Sequence, residues 1–386
     1  MILFGVDRVG EYAHLLTGRV ALLTGPSGRT GGNVPTMDVL QRCCDLRLLL
    51  APEHGVRGDK AAGALFADET DPESGLPVRS LYTKTSKRLS CQTLALFDTL
   101  VYDMADVGCR YYTFLTTLRF CIEDCAAAGK RLVVLDRPNP LGDRVEGGLL
   151  QKQTESFVGG YEMPVCYGLT CGELAEMMNC ELGCHCDLQI VPCQGLTREM
   201  DFRDWGRYWV MPSLGVPRFE TALLYPGTCL IEGTNLSEGR GTADPFAILG
   251  APFIRAEAFA RAFNALDCPG VEATPVYFVP TASRHQGTLC GGIHLHITDP
   301  GALESVALGV KLLDLLRRMY PGDFAFLAPV RPDGKPFISL LAGHRDFENP
   351  RWDAGEILAR YAAESQTFRS RKAAYERYPR SECIWK

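Results

Sequence analysis

Residues 46–50 read LRLLL, and the segment APEHGVRGD follows directly at 51–59. A short, almost entirely apolar run is typical of a strand that is covered on both faces, as in a parallel sheet. Proline, glutamate, histidine and glycine come next, so polar residues begin where the predicted strand stops. The pattern therefore predicts a buried strand with a polar loop at its carboxyl end.

The same pattern recurs through the first third of the chain. Apolar runs at 19–24, 100–104 and 132–136 alternate with helical spacing at 37–44 and 112–128. Strands that alternate with helices are typical of βαβ units. We therefore expect a doubly wound parallel sheet in this part of the protein.

Beyond about residue 150 the pattern loosens, because turns rich in glycine and proline separate shorter elements. We expect further elements here, namely a helix at 171–180, strands at 187–191 and 292–298, and helices at 303–319 and 354–378. A chain of 386 residues is long enough for two cores. We predict an α/β protein with a Rossmann-like parallel-sheet domain over 1–155 and a second, smaller α/β domain over 156–386.

The composition is that of an ordinary globular protein, with 46% hydrophobic residues and a formal net charge of −6. This charge argues against a nucleic-acid partner, and no apolar run approaches the length that spans a bilayer. The first residues do not resemble a signal peptide, so we expect a cytoplasmic location. The spacing of the 16 cysteines matches no standard metal site, and the glycine-rich loop at 24–32 lacks a nucleotide-binding fingerprint. We therefore expect neither a metal nor a cofactor.

Polar residues follow three of the predicted strands. Glu53, His54, Arg57 and Asp59 follow the run at 46–50. Asp106, Arg110 and Tyr112 follow the run at 100–104. The end of the run at 132–136 carries Asp136, Arg137 and Asn139. The carboxyl ends of parallel strands meet at one edge, where ligands bind in open α/β sheets. Any one of these residues can instead be an ordinary turn or capping residue. Together they predict a site at this edge.

Glu53 is the leading catalytic candidate. Pro52 fixes the backbone before it and Gly55 frees the chain after it. A carboxyl group among apolar walls can hold its proton and donate it to a leaving oxygen. His54 is the alternative acid or base, although adjacent side chains of an extended segment point in opposite directions. Asp106 is our candidate for an assisting carboxylate, with Asp136, Glu146 and Glu232 as alternatives.

A second polar loop, EGTNLSEGRGT, occupies residues 232–242. Loops of this kind often carry binding groups, and we select Glu232, Asn235 and Arg240. Arg240 stands between two glycines, so its guanidinium can approach a carboxylate closely and bind it with two hydrogen bonds. The alternative is an ordinary surface loop.

The chain resembles a family of bacterial exo-β-N-acetylmuramidases that was long grouped as a domain of unknown function. Six ordered blocks carry the resemblance: APEHGVRGD (51–59), TDPESGLPVRSLY (70–82), YDMADVGCRYYTF (102–114), VLDRPNPLGDRVEG (134–147), SFVGGYEMPVCYGLTCGELA (156–175) and ETALLYPGTCLIEGTNLSEGRGT (220–242). The resemblance implies a Rossmann-like domain joined to a smaller α/β domain, with the active site in the cleft between them. It also implies release of terminal N-acetylmuramic acid from the non-reducing end of peptidoglycan fragments, and its motif glutamate falls on Glu53.

Muramic acid carries a lactyl carboxylate that an acidic protein must bind with specific arginines, and Arg57, Arg110, Arg137 and Arg240 are the candidates. The chain departs from the family pattern at Tyr167, where histidine is usual, and at Gly25 and Gly215, where asparagine is usual. These departures motivate an alternative, a catalytically degenerate protein that binds or senses muropeptides. A nucleotide-dependent oxidoreductase is a third possibility that rests only on the predicted sheet. The oligomeric state stays open.

Overall fold

The computed structural model describes residues 2–60, 67–82, 86–331 and 334–381. Its strands are β1 (Val20–Thr24), β2 (Leu46–Ala51), β3 (Glu69–Thr70), β4 (Pro77–Ser80), β5 (Thr99–Asp103), β6 (Arg131–Leu135), β7 (Val145–Glu146), β8 (Cys166–Tyr167), β9 (Asp187–Val191), β10 (Ile248–Ala251), β11 (Val271–Phe278) and β12 (Cys290–Ile297). Its α-helices are α1 (Gly5–Arg8), α2 (Thr36–Cys43), α3 (Cys91–Leu94), α4 (Phe114–Ala128), α5 (Cys171–Glu181), α6 (Phe219–Thr228), α7 (Ala256–Asn264), α8 (Ser305–Met319), α9 (Phe337–Ala342) and α10 (Ala354–Lys372). The α/β class predicted from the sequence is confirmed.

The four buried strands predicted in the first third form the centre of a seven-stranded sheet in the order β3-β4-β2-β1-β5-β6-β9. All neighbouring strands pair in parallel except β3 and β4. The strand order reverses between β1 and β5, which opens a crevice beyond their carboxyl ends. The sheet thus places the loops after β1, β2 and β5 at one edge.

Alternate side chains of β1 explain why its sequence is apolar throughout. Ala21 and Leu23 belong to the core on one face of the sheet, whereas Val20 and Leu22 belong to the core on the other face. All four side chains are fully buried. Because both faces of the sheet are covered, the sequence of β1 lacks the alternation of polar and apolar residues that a half-exposed strand shows.

The large sheet extends past the domain boundary that we predicted at residue 155. The strand predicted at 187–191 is present as β9, but it pairs in parallel with β6 of the large sheet. The chain also returns to this part of the molecule at its end, where Tyr378 bonds to Asp136. The large-sheet domain therefore includes segments that the sequence assigned to the second domain.

The second domain is built on a three-stranded antiparallel sheet in the order β10-β12-β11. The strand predicted at 292–298 and the helix predicted at 303–319 are confirmed as β12 and α8. In the described ranges, no helix is long and apolar enough to cross a bilayer. Within the same ranges, no three His, Cys, Asp or Glu side chains are grouped so that they can hold a metal ion.

Candidate active site

Glu53 lies in the turn that directly follows β2, at the edge of the sheet where the sequence placed it. Thr113, the residue before the first turn of α4, donates a hydrogen bond of 3.0 Å from Oγ1 to Glu53 Oε2. The backbone of Gly55 has a φ of 75°, which favours glycine and lets the chain turn away after the carboxylate. The Glu53 side chain is half-buried and held in place.

His54 and Arg57 brace the loop that carries Glu53. His54 Nδ1 lies 3.3 Å from the carbonyl oxygen of Lys60, and the Lys60 amide bonds back to His54. Arg57 donates to both carboxylate oxygens of Asp71, at 2.8 and 2.7 Å. This guanidinium holds the pKa of the buried Asp71 carboxyl well below its usual range. Arg57 thus stabilises the loop, and its role in binding substrate stays a prediction.

Asp106 follows β5 and is buried, with 7% of its surface exposed. Its Oδ1 accepts hydrogen bonds of 2.6 Å from the Tyr167 hydroxyl and from the Gly108 amide. Burial raises the pKa of the Asp106 carboxyl to about 7. Its second oxygen, Oδ2, is buried and has no hydrogen-bond partner in the part of the chain that the structure describes.

Tyr112 is near enough to Asp106 and Glu53 to be influenced by their charges. Its ring packs edge-on against Phe114 and Tyr225, with centroids 4.7 and 6.4 Å away. Burial raises the pKa of its hydroxyl, and the charges of Asp106 and Glu53 lie close enough to raise it further. The hydroxyl lies beside the Ser213 side chain without hydrogen-bond geometry, and no other described group bonds to it.

Glu232 and Arg240 form the opposite wall, as part of the second domain. Arg240 bonds to Glu232 at 2.8 Å and approaches Glu238 at 3.3 Å, and its guanidinium lies 5.0 Å from the centre of the Phe246 ring. Burial raises the pKa of Glu232, and the charge of Glu53 lies near enough to contribute. We call the space between this wall and Glu53, Tyr112 and Asp106 the interdomain cleft.

Arg137 lies deeper in the crevice at the strand-order reversal. It donates to both carboxylate oxygens of Asp103, at 2.5 and 2.9 Å, and to the carbonyl oxygen of Arg29. Asp106 and Trp205 also line this crevice. Arg137 is therefore near the predicted site, although Asp103 already neutralises its charge.

Asp136 and Asn139 both follow β6 as predicted, and both side chains bond to neighbouring groups of the protein. Asp136 is fully buried and accepts hydrogen bonds from the Tyr378 and Thr170 hydroxyls and from the amides of Gly172 and Arg137. Asn139 bonds to the backbone of Leu141 and Leu169. Both side chains fix the packing around β6, and the binding role that we predicted for them stays a prediction.

The Arg110 and Asn235 side chains also bond to backbone groups of the protein. Arg110 is fully buried and donates to four carbonyl oxygens, those of Gly148, Met163, Leu341 and Ala342. The Asn235 side chain bonds to the backbone of Asp323 and Ala325. These contacts use the buried Arg110 guanidinium for structure, whereas the binding role of Asn235 stays a prediction.

Thr113 is a residue of this site that the sequence did not single out. It directly follows Tyr112 in a motif that we had recognised, but its role depends on how the start of α4 faces the end of β2. A local pattern carries no signal for such a contact. The partner of Asp106, Tyr167, was noticed only as a departure from the family pattern.

Replacing Thr113 with valine is expected to lower kcat/KM by about 10-fold, since a hydrogen bond to a charged group contributes about 1.5–3 kcal/mol. Valine has nearly the same shape but cannot donate to Glu53. Serine at this position keeps the hydroxyl and serves as the matched control, with near-normal kinetics expected. Equal kcat/KM values for the valine and serine variants would show that this hydrogen bond does not position Glu53.

Comparisons with known proteins agree with this arrangement. Two family models match, the N-terminal part of exo-beta-N-acetylmuramidase NamZ at residues 20–220 and its C-terminal part at residues 223–378. The peptidoglycan beta-N-acetylmuramidase NamZ of Bacillus subtilis is 41% identical over 329 residues, which cover 84% of this chain and 79% of that protein.

Two crystal structures of DUF1343 family proteins from Bacteroides fragilis are similar over nearly the whole chain. One has 31% identity and a TM-score of 0.87, covering 98% of this chain and 99% of that chain. The other has 27% identity and a TM-score of 0.77, covering 99% of this chain and 100% of that chain. The family models and the Bacillus relative agree with the resemblance noted in the sequence. The chain belongs to the exo-beta-N-acetylmuramidase NamZ family.

Proposed function

We propose that this protein is a glycoside hydrolase that releases terminal N-acetylmuramic acid from the non-reducing end of peptidoglycan fragments. The observation that carries the proposal is the fixed carboxylate of Glu53 at the edge of the interdomain cleft, in a chain 41% identical to a peptidoglycan beta-N-acetylmuramidase. Glycosidases need an acid at the scissile bond to protonate the departing oxygen. Glu53 is the residue that we assign to this step.

Two further carboxylates are candidates to assist Glu53. Asp106 belongs to the large-sheet domain, and Glu232 belongs to the second domain. Glu232 is already paired with Arg240. Asp106 has a buried oxygen to which no described group donates a hydrogen bond. Asp106 is therefore our first choice for the assisting carboxylate.

The lactyl carboxylate of the sugar needs a cationic partner. Of the four arginines that we considered from the sequence, Arg110 is fully buried and donates to four backbone carbonyl oxygens. Arg57, Arg137 and Arg240 are each paired with a carboxylate. These three remain our candidates for binding the lactyl group.

A pair of disaccharides tests the proposed function. The protein should cleave N-acetylmuramyl-β-1,4-N-acetylglucosamine into its two sugars, detected by mass spectrometry, and leave the disaccharide of reversed order intact. Cleavage of both would contradict the exo specificity for muramic acid. Calorimetric binding of the first disaccharide without cleavage would instead favour the alternative of a degenerate muropeptide-binding protein.

A further inference from the structure

We propose that Arg284 binds a carboxylate of the substrate in a pocket of the second domain. The inference rests on the proposed function, because it names the residue that recognises the acidic part of that substrate. The carboxylate belongs to the lactyl group of muramic acid or, where a peptide is attached to that group, to the peptide. The sequence did not single out Arg284, which lies in the segment between β11 and β12.

The pocket, which we call the second-domain pocket, has a volume of about 570 Å³, within the usual range of small-molecule sites. Leu327, Phe337 and Leu340 give it a half-buried apolar wall. Two acidic and four basic side chains of the described residues also line it, namely Glu232, Glu238, Arg240, Arg284, Arg331 and Lys335. The pocket is therefore positively charged in a protein whose net charge is −6, and it should attract anions.

Arg284 lines this pocket, is half-buried, and has a guanidinium without a described partner. Its Nε atom is buried without an acceptor, and no described carboxylate forms an ion pair with it. Arg57, Arg137 and Arg240, by contrast, are each paired with a carboxylate. A ligand that approaches Arg284 therefore displaces no existing ion pair. A buried donor without an acceptor is unusual in a folded protein, and a carboxylate would satisfy it.

The turn that carries Arg284 is fixed on both sides. Ser283 and His285 have φ values of 65° and 60°, which residues other than glycine rarely adopt. The Ser283 hydroxyl donates to Glu238 at 3.0 Å, and the His285 ring donates to the Asn235 carbonyl oxygen at 2.7 Å. Backbone strain of this kind persists only where the surroundings hold it, and it is often found where a ligand is clamped. These contacts hold Arg284 in place before a ligand arrives.

Arg240 lines the same pocket but is less suited to this role. It bonds to Glu232 at 2.8 Å and lies 3.3 Å from Glu238, so two carboxylates share its charge. Both would repel a third carboxylate at Arg240. Arg240 instead neutralises the acidic side of the pocket and leaves Arg284 for the ligand. The methyl group beside the carboxylate of a lactyl group, or of an alanine residue, then suits the apolar wall.

The test is calorimetry with methyl 1-thio-β-glycosides, which the sulfur linkage protects from hydrolysis. The sugars are N-acetylmuramic acid, its L-alanine conjugate, its neutral L-alaninamide conjugate, and N-acetylglucosamine, which has no lactyl group. At least one of the two acids should bind about 10-fold more tightly than both neutral sugars, since a hydrogen bond between charged groups is strong. Preference for free N-acetylmuramic acid identifies the lactyl carboxylate, and preference for the alanine conjugate identifies the peptide carboxylate. Equal affinities for acidic and neutral sugars would overturn the inference.

Arg284→Gln should remove this preference and leave the affinity for the N-acetylglucosamine glycoside unchanged. Arg351→Gln is the matched control, because it removes the same charge from an exposed arginine outside the pocket. A preference that persists in Arg284→Gln would overturn the inference. The unchanged protein gives a second measurement, which does not depend on how the variant folds. The preferred acid should slow the labelling of Arg284 by phenylglyoxal, followed by mass spectrometry, and equal labelling with the acid and with N-acetylglucosamine would also overturn the inference.

Cleavage of the disaccharide described above tests the proposed function separately. Cleavage without a preference that depends on Arg284 would overturn this inference alone. Such a preference without cleavage would overturn the proposed function and leave a protein that binds the acidic sugar without hydrolysing it.

Discussion

Glu53→Gln is expected to lower kcat/KM on a chromogenic muramide by about 1,000-fold or more, because general acid catalysis contributes roughly 10²–10⁴-fold and glutamine has no proton to give. The change is nearly isosteric. Glutamine keeps an oxygen that can accept the hydrogen bond of the Thr113 hydroxyl, so the loop after β2 should keep its position. The melting temperature should therefore stay close to that of the unchanged protein.

His54→Gln is the control for this experiment, because His54 is the neighbouring acid or base that we considered from the sequence. Its ring lies against the Lys60 carbonyl of its own loop. We expect this variant to keep kcat/KM within about 10-fold of the unchanged protein. A loss as large as that of the Glu53 variant, at an unchanged melting temperature, would assign the acid role to His54 instead.

The position of Glu53 was predictable because its causes are local. A buried strand ends at Ala51, Pro52 stops the ladder, and Gly55 turns the chain, so three neighbours in sequence fix the carboxylate at the sheet edge. The fully apolar strands were predictable for a similar reason, since burial on both faces leaves a direct mark on composition. Such features need no knowledge of distant parts of the chain.

The roles that the sequence missed depend on distant partners. Asp136 follows a buried strand just as Glu53 does, but Tyr378, 242 positions later, donates to its carboxylate. The strand at 187–191 was predicted correctly, yet only its pairing with β6 assigns it to the large sheet. The apolar pattern of a strand does not show which strand it pairs with. The domain boundary at residue 155 could therefore not be placed from that pattern.

Two of the departures from the family pattern fall on groups that form the interdomain cleft. The hydroxyl of Tyr167 donates to Asp106. A Cβ atom at Gly215 would come within 2.8 Å of Arg240 Nη1, so glycine leaves the room that this guanidinium uses. The site therefore keeps a hydrogen-bonded Asp106 and a paired Arg240, with residue types at 167 and 215 that are unusual for the family.

Arg110→Met is expected to destabilise the protein by about 3 kcal/mol or more, because each buried polar group left unpaired costs about 1–3 kcal/mol. Methionine fills much of the same volume but cannot donate to the four carbonyl oxygens that the guanidinium satisfies. Two of these, on Leu341 and Ala342, lie at the end of α9, so the side chain joins the loop after β5 to a distant part of the chain. Chemical denaturation monitored by circular dichroism measures the change.

Arg19→Met is the matched control for Arg110→Met. Arg19 also makes several hydrogen bonds, to Asp98 and to the Ala95 carbonyl, but nearly half of its side chain is exposed. An exposed ion pair contributes little to stability, since water replaces the lost contacts. A loss of stability in Arg110→Met no larger than that of Arg19→Met would mean that the four carbonyl groups find other partners. Its structural role would then no longer be a reason to exclude Arg110 from the candidate site.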